Sequence, residues 1–375
     1  MKQGKRRLRV AFVVPHIFMN DGIRERVIFS PGELALGLVE KLGEFGVDVT
    51  LFTPGAVRCG AKNETADMGG FEKELSGRGY GYTELLGKHP AIFVSLARQV
   101  QAEVIAKAYA AANKGEYDVV HIYTNEEDVA LQFAELCEKP VLFTHHDPYN
   151  FFIRYKSVFP RYRYLNFVSM SLAQRATMPA DTNWVANIYH GLDGGEYEFS
   201  EGGYYFAYLG RIVEPKGVHL AIEAARRAGV KLKIAGKHYA DSGKDSYWSE
   251  VIEPSLGGDI EYVGYLRGEE KKEFLRRAKA LIVPSVFSEP FGMVTIEALA
   301  SGTPVIGSGS GATPEIIKDG VNGFIVDGVD GIMEAMGRVN EIDRRKCRES
   351  FEERFTLERM VCEHAELYEK MSELR

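Results

Sequence analysis

The stretch LIVPSVFSEPFGMVTIEALASGTPVIG, residues 281–307, decides the fold. It holds two short apolar runs, LIVP and PVIG, separated by a Pro-Phe-Gly turn and an apolar run with the length of a helix. Strand, helix and strand in this order predict a parallel βαβ unit, because continuous apolar strands are typical of sheets covered on both faces. Two carboxylates interrupt it, Glu289 before the turn and Glu297 inside the predicted helix.

The same alternation of strands and helices continues in both directions along the chain. Two successive series predict two doubly wound α/β domains, residues 1–195 and 203–355, joined by the glycine-rich polar segment 190–205. The last helical pattern, residues 356–375, could pack on either domain. The predicted strands are 9–14, 48–52, 118–123, 141–146 and 164–169, followed by 205–210, 231–236, 260–264, 281–284, 304–307 and 323–327.

Composition narrows the class of protein. The 375 residues are 45% hydrophobic and 26% charged, as in ordinary soluble globular proteins, and the net charge of −7 argues against a nucleic-acid partner. The basic opening lacks the apolar stretch of a signal peptide, and no apolar run approaches the length of a membrane span. Four cysteines without Cys-x-x-Cys spacing predict reduced thiols and a cytoplasmic protein.

In open parallel sheets, ligands bind beyond the carboxyl ends of the strands, so functional residues are expected there. Residues 30–33, Ser-Pro-Gly-Glu, have the pattern of a capping box that starts a helix, although Gly32 would also let a phosphate approach the helix amides. His145 and His146 end another strand. Adjacent strand residues point to opposite faces, so one of the two histidines packs in the core and the other faces the site.

Two further loops each allow a functional and a structural interpretation. Arg211 and Lys216 flank the turn into a helix, where cations oppose the helix dipole unless an anion binds there. The run GSGSGA, residues 307–312, imitates a dinucleotide-binding fingerprint. The helix predicted after it is at most two turns long, and this argues against a dehydrogenase.

Several motifs together resemble the retaining glycosyltransferases of family four, which have the GT-B architecture of two Rossmann-like domains facing across a cleft. The motifs are YLGRIVEPKG, LKIAG, IEYVGYL, THHDP, VANIYHGLD and the run from Pro284 to Ile317 that contains Glu289 and Glu297. The resemblance covers nearly the whole chain. It implies that the final helix, from about residue 356, packs back on the first domain.

The resemblance also implies roles for individual residues. His146 and Glu289 would be catalytic residues at the donor sugar, and Glu297 would bind the ribose. Where relatives often carry a Gly-Gly pair, this chain has Ser30-Pro31-Gly32, so a phosphate contact at Gly32 is less secure. The implied diphosphate-binding residues are Gly32, Arg211, Lys216, Phe291, Gly292 and Met293, and the implied nucleotide-binding residues are Gly236, Gly264, Tyr265 and Glu297.

The expected activity is transfer of a hexose from a UDP-glucose-like or GDP-mannose-like donor to an unidentified acceptor, with retention of configuration. The alternatives are a sugar-nucleotide epimerase of the same fold and a sugar-nucleotide binding protein without catalysis. No cofactor and no metal are expected, because the chain has no Asp-x-Asp triplet. Residues 126–128, Glu-Glu-Asp, fit ordinary compensation of a helix dipole.

The segment YNFFIRYKSVFPRYRY, residues 149–164, has four basic residues, seven aromatic residues and no acidic one. One interpretation is a helix that packs its aromatic rings inward and extends its basic groups to solvent. The other is a site for an anionic acceptor, or for an acceptor presented by a membrane with weak peripheral contact. The sequence leaves both open.

Overall fold

The computed structural model describes residues 6–24, 27–124, 126–238 and 246–373. The chain divides into two compact units. The first comprises the described residues up to Met170, then Thr177–Ile188, and those from Glu358 onward. The second comprises Ser171–Ala176 and Tyr189–Leu357.

The first unit is built on a sheet of seven parallel strands in the order β3-β2-β1-β4-β5-β6-β7. The order reverses between β1 and β4, which is the topological switch point of a doubly wound sheet. The strands are β1 (Leu8–Val13), β2 (Val47–Thr53), β3 (Lys62–Thr65), β4 (Val119–Thr124), β5 (Val141–His145), β6 (Asn166–Ser169) and β7 (Trp184–Asn187).

The second unit repeats this plan with six parallel strands in the order β10-β9-β8-β11-β12-β13. Its switch point lies between β8 and β11. The strands are β8 (Tyr205–Leu209), β9 (Leu232–Ala235), β10 (Ile260–Gly264), β11 (Ala278–Val283), β12 (Val305–Ser308) and β13 (Gly323–Val326).

The helices lie mainly in the crossovers between strands. Among those described, none combines the length and apolarity needed to cross a bilayer. They are α1 (Asp21–Arg24), α2 (Ser30–Leu42), α3 (Gly69–Arg78), α4 (Tyr82–Lys88), α5 (Pro90–Asn113), α6 (Asp128–Phe133), α7 (Ile153–Tyr162), α8 (Leu172–Thr177), α9 (Val218–Ala228), α10 (Gly268–Arg276), α11 (Met293–Ala300), α12 (Thr313–Ile316), α13 (Gly328–Arg338), α14 (Arg344–Arg354) and α15 (Leu357–Ser372).

The prediction of two doubly wound α/β sheets is confirmed, and each predicted strand overlaps an observed one. Two strands of the first sheet, β3 and β7, were not predicted. Both are edge strands. An edge strand needs no continuous apolar run, and the four residues of β3, Lys-Asn-Glu-Thr, are polar.

The course of the chain differs in detail from the predicted domain limits. The second unit begins at Tyr189, ahead of the predicted limit at residue 195, and it also includes Ser171–Ala176. Glu315 explains the second difference. Its carboxylate accepts hydrogen bonds from the amides of Leu172 at 2.8 Å and Ala173 at 2.6 Å, and so caps the start of α8.

The predicted capping box at Ser30 is wrong. Ser30 is the first residue of α2 and Phe29 precedes it, and none of the described side chains caps the helix. The amide of Gly32 donates to the Phe29 carbonyl at 3.1 Å, and Glu33 pairs instead with Arg24. Packing replaces the cap, because the buried Phe29 ring stacks on His16 with centroids 4.5 Å apart.

The helix α15 belongs to the first unit except for its first residue. A buried polar cluster joins it to the sheet. His121 Nδ1 lies 2.7 Å from the Tyr368 hydroxyl, and His121 Nε2 lies 2.8 Å from Thr144 Oγ1. His364 is also buried, with Nδ1 2.8 Å from the Met360 carbonyl oxygen, and its ring stacks on that of His121.

Burial of this cluster predicts that the free energy of unfolding decreases in acid. Burial lowers the pKa of His364 from 6.5 to about 4, so between these pH values the unfolded chain binds more protons than the folded one. Stability therefore falls as the pH drops through this window. We expect His364 alone to reduce the free energy of unfolding by about 2 kcal/mol between pH 7 and pH 5.

Urea unfolding at both pH values checks this expectation. The variant His364→Leu should lose less stability on acidification than the parent protein. The control His89→Leu, at a partly exposed site, should keep the full loss. Equal losses in all three proteins would contradict the assignment to His364.

Candidate functional site

The predicted site residues of the second unit gather at its switch point. Arg211 and Lys216 lie in the loop that follows β8, and Glu289 lies in the loop that follows β11. Because β8 and β11 are neighbours and parallel, these loops emerge from the same edge of the sheet. This is where doubly wound sheets bind their ligands.

A cation and a carboxylate meet between the two loops. Lys216 Nζ forms an ion pair with Glu289 Oε1, and the Ser285 hydroxyl donates to Glu289 Oε2 at 3.2 Å. The Lys216 and Glu289 side chains are 15% and 16% exposed. The sequence predicts different roles for these residues, and the structure places them in direct contact.

Arg211 provides a second cation in the same loop. It is exposed, and its guanidinium has no hydrogen-bond or ion-pair partner among the described residues. The Tyr208 hydroxyl donates to its carbonyl oxygen at 2.9 Å and so fixes the backbone beneath the side chain. Arg211 is therefore available to an anion.

The Pro-Phe-Gly turn leads into α11. Gly292 precedes the helix with φ of +95°, a conformation that favours glycine. The Phe291 side chain is buried against His190, so only its backbone is available to a ligand. The first amides of a helix have no intrahelical partners, which suits Gly292 and Met293 to an anion.

Glu297 lies inside α11 and is only 6% exposed. Its Oε1 accepts from Lys271 Nζ on α10 at 2.7 Å, whereas its Oε2 has no hydrogen-bond partner in the described part of the chain. A buried carboxylate oxygen without a partner is costly unless a ligand supplies one. This oxygen is a candidate acceptor for a ligand hydroxyl.

The predicted nucleotide-binding glycines meet at the ends of β9 and β10. The amide of Gly236 donates to the Gly264 carbonyl at 2.9 Å. A side chain at Gly236 would collide with the Gly210 carbonyl, so the strand ends pack backbone to backbone. Tyr265 is 40% exposed, and the Arg267 guanidinium lies 4.9 Å from its ring centroid.

The run that imitates a dinucleotide fingerprint has a supporting role instead. Gly311, with φ of +61°, lies so close to the Glu289 backbone that a Cβ atom would collide with it. The next amide, that of Ala312, donates to the Glu289 carbonyl at 3.0 Å, and the Ser310 hydroxyl donates to the Ser285 carbonyl at 3.1 Å. The helix that follows, α12, has four residues.

The adjacent histidines His145 and His146 have different surroundings. His145, the last residue of β5, is 1% exposed and forms an ion pair with the fully buried Glu127. Burial lowers the pKa of His145, but the Glu127 carboxylate outweighs this effect, and the net pKa is raised. His146 lies edge-on to the buried Tyr123, with ring centroids 4.4 Å apart.

Residues 126–128 lie at the start of α6, as the sequence interpretation requires, but they also form ion pairs that it did not foresee. Glu126 lies 3.2 Å from Arg154 and 3.9 Å from His16 Nε2, and Asp128 forms a two-point ion pair with Arg98 at 3.0 and 2.6 Å. His16 follows β1 and residues 126–128 follow β4, the strands at the switch point of the first sheet, whereas Arg98 and Arg154 lie on α5 and α7. They form a charged network at the edge where a ligand would bind.

Comparison with known proteins agrees with this geometry. Residues 195–354 match the model of the family described as Glycosyl transferases group 1. The second unit is a group 1 glycosyltransferase domain. The match encloses Arg211, Lys216, Glu289 and Glu297, the residues that cluster at the switch point or beside it.

The chain is also similar to named glycosyltransferases. An uncharacterized glycosyltransferase of Methanocaldococcus jannaschii is 31% identical over 50% of this chain and 54% of its own length. The phosphatidyl-myo-inositol mannosyltransferase of Mycolicibacterium smegmatis is 25% identical over 62% of this chain and 64% of its own length. The matches thus span less than two thirds of either relative.

Solved structures share the whole fold. Sucrose-phosphate synthase from Thermosynechococcus elongatus has a TM-score of 0.74 at 17% identity, covering 97% of this chain and 99% of that one. Anabaena HepE, in complex with UDP and glucose, has a TM-score of 0.65 at 17% identity, covering 97% of this chain and 100% of that one. The glycosyltransferase domain is therefore one of the two Rossmann-like units of a GT-B fold.

Three contacts at or near the candidate sites were not predicted from the sequence. Lys271 carried no signal, because it lies in a run of charged residues, GEEKKE, that fits any solvated helix. The hydrogen bond from the Ser310 hydroxyl to the Ser285 carbonyl was not foreseen, because Ser310 lies in the run that imitates a dinucleotide fingerprint. Glu127 could have been suspected only from its neighbour on the next strand, His145, and that pairing requires the strand order.

The Gly311 contact predicts an unequal pair of glycine substitutions. Gly320→Ala places a side chain at φ of +71° in open space and should cost about 1 kcal/mol of stability. Gly311→Ala carries the same conformational cost plus a collision with the Glu289 backbone, which adds roughly 1–3 kcal/mol. Urea unfolding of both variants measures the difference, and equal losses would contradict the packing.

Proposed function

We propose that this protein transfers a hexose from a nucleoside-diphosphate sugar to an acceptor, with retention of anomeric configuration. The observation that carries the proposal is the ion pair of Lys216 with Glu289 beside the unpaired Arg211. A diphosphate needs cations, and a sugar needs a carboxylate that can accept hydrogen bonds from its hydroxyls. Both are present at one edge of the glycosyltransferase domain.

The chemistry follows from the charge that develops. As the glycosidic C–O bond breaks, the sugar ring gains positive charge and the leaving diphosphate gains negative charge. Arg211 offers a planar fork to the phosphate oxygens, and Lys216 supplies a point charge. These groups stabilise the departing diphosphate more than the intact donor, and this difference lowers the barrier.

Glu289 has two tasks in this proposal. It pairs with Lys216 in the structure, and with donor bound it would accept from the sugar hydroxyls while Lys216 shifts toward the diphosphate. His146, in the first unit, is assigned to the donor sugar by the family resemblance. Retention follows if the acceptor attacks from the side on which the diphosphate leaves.

The nucleotide end is assigned to Glu297. Its unpartnered Oε2 would accept from a ribose hydroxyl, with Lys271 holding the other oxygen. The backbone near Gly264 and Tyr265 would meet the base. A UDP-type donor is favoured over a GDP-type donor because the structurally similar HepE binds UDP and UDP-glucose.

The acceptor is left open by the relatives. Their names point to different acceptors, a phosphatidyl-inositol in one and a lipopolysaccharide in another. A cytoplasmic location and independence from metal ions also stay predictions. In the described ranges no group of three His, Cys, Asp or Glu side chains is arranged to hold a metal ion.

Incubation with a panel of nucleotide sugars tests the activity. We expect nucleoside diphosphate to be released, faster when a mixture of candidate acceptors is added. Conversion of the sugar without release of nucleotide would indicate an epimerase. Binding without any turnover across the panel would overturn the proposal of transfer.

Substitution of the two glutamates should have different effects on the affinity for nucleoside diphosphate, measured by calorimetry. Glu297→Ala should weaken binding by roughly 1.5–3 kcal/mol, the value of a hydrogen bond to a charged group. Glu289→Ala should leave this affinity nearly unchanged, because its partner is the sugar, and should reduce turnover of the intact donor. Equal losses of nucleotide affinity would refute the division.

The same titration tests Lys271. Lys271→Met should weaken nucleotide binding by less than Glu297→Ala does, because it only loosens the carboxylate. Lys272→Met, on the same helix but paired with Glu196 and Glu269, is the matched control and should bind normally.

Arg211→Ala should reduce turnover by at least about two orders of magnitude, on the scale of removing one donor to a developing anion. The parent enzyme should keep its activity in EDTA, because protein cations replace the metal ion. Arg227→Ala, which removes an exposed arginine paired with Asp330, is the control and should be unaffected. Full dependence on magnesium together with an active Arg211→Ala variant would show that the diphosphate is held otherwise.

A further inference from the structure

The segment from Tyr149 to Tyr164, which includes α7, presents two different faces. Its inner face follows the first interpretation of the sequence. Tyr155, Val158 and Phe159 are buried, and the Phe159 ring packs against His145 at 4.9 Å. Inward packing therefore accounts for part of this segment only.

The residues at and just before the start of α7 are exposed instead of buried. Phe151 is 52% exposed, Phe152 41% and Ile153 83%. Three consecutive large apolar side chains at the surface are unusual, because scattered single residues are the norm and contiguous apolar patches mark interaction sites. No packing requirement of the first unit explains Ile153 at this exposure.

The charged side chains of the segment itself are all basic. Arg154 is engaged by Glu126 and Asp128, which leaves Lys156, Arg161 and Arg163, all exposed. Among the acidic residues of adjoining elements, Asp128 forms an ion pair with Arg98, whereas Glu135 and Asp147 accept from tyrosine hydroxyls and keep their charge. The face is thus locally basic on a chain whose net charge is −7.

We propose that this aromatic–basic face, formed by Phe151, Phe152, Ile153, Lys156, Arg161 and Arg163, docks on a lipid bilayer with anionic headgroups. Exposed aromatic and aliphatic tips enter the interfacial layer, and flanking cations bind the lipid phosphates. The remaining surface of an acidic protein is repelled by such a bilayer, so the face also sets the orientation of docking.

One consequence rests on the proposed function. The face begins next to Asp147 and His146, at the carboxyl edge of the first sheet. Docking there would bring the edge of the first unit to the bilayer surface. The acceptor would then be a membrane-presented molecule rather than a free sugar.

Vesicle flotation of the full chain, without any nucleotide sugar, tests the docking alone. The parent protein should float with phosphatidylcholine vesicles that contain phosphatidylglycerol at low salt, and not with pure phosphatidylcholine vesicles. The triple variant Lys156→Gln, Arg161→Gln, Arg163→Gln should bind about a hundredfold more weakly, at roughly a fivefold loss for each cation removed near an anionic surface. The triple variant Phe151→Ser, Phe152→Ser, Ile153→Ser should lose the binding that survives at high salt.

The matched control removes three exposed cations elsewhere in the first unit, as Arg58→Gln, Lys73→Gln, Lys114→Gln. It should float like the parent, and thermal melting should show all variants folded. Absence of parent binding at low salt, or equal weakening by the control, would overturn the proposal. So would a parent dimer that the serine variant dissociates, since the face would then join two copies of the chain. Nucleotide release by the same variants, measured without vesicles, keeps the proposed transfer activity a separate question.

Discussion

The ion pair between Lys216 and Glu289 is the interaction on which the arrangement of the second unit's site depends. Each partner comes from one of the two loops that flank the switch point, so the pair joins the loops that the strand order separates in sequence. Both side chains are largely buried, and withdrawal of two charges from water is compensated only if each is well satisfied. The Ser285 hydroxyl on the second carboxylate oxygen meets part of that requirement. An arriving diphosphate would compete with Glu289 for the same lysine.

The carboxylate is held in place by packing as much as by charge. Gly311 presses against the Glu289 backbone, and the hydroxyl groups of Ser308 and Ser310 reach the Ser285 carbonyl. The loop after β12 thus fixes the position of the loop after β11 by packing and by hydrogen bonds. Glu297 is supported in a similar manner, by Lys271 from the adjoining helix α10. In both cases a residue to which no ligand contact is assigned fixes the orientation of a glutamate that is proposed to contact the ligand.

Sequence reasoning succeeded where a property repeats along the chain. Apolar runs such as LIVP and PVIG located the central strands. The glutamates on either side of Gly292 were predicted to bind the donor, and the structure places Glu289 at the switch point of the second sheet and Glu297 inside the following helix. Sequence reasoning failed where the decisive partner is distant in sequence. Glu127 was read as a helix-start charge because its partner, His145, lies on the neighbouring strand. The polar edge strand β3 has no apolar run to detect, and Phe29 replaced the expected serine cap through its packing on His16. Local pattern gives elements, whereas pairing across strands requires the fold.

The path of the chain has a consequence for any attempt to divide the molecule. The polypeptide leaves the first unit after Met170, returns at Thr177, leaves again after Ile188 and returns at Glu358. No single cut therefore yields two complete halves. A fragment ending at residue 188 would lack Tyr368, the partner of His121, and the complementary fragment would lack the amides that Glu315 caps. Splitting the gene would have to respect four junctions, so no single point in the sequence separates the two Rossmann-like units.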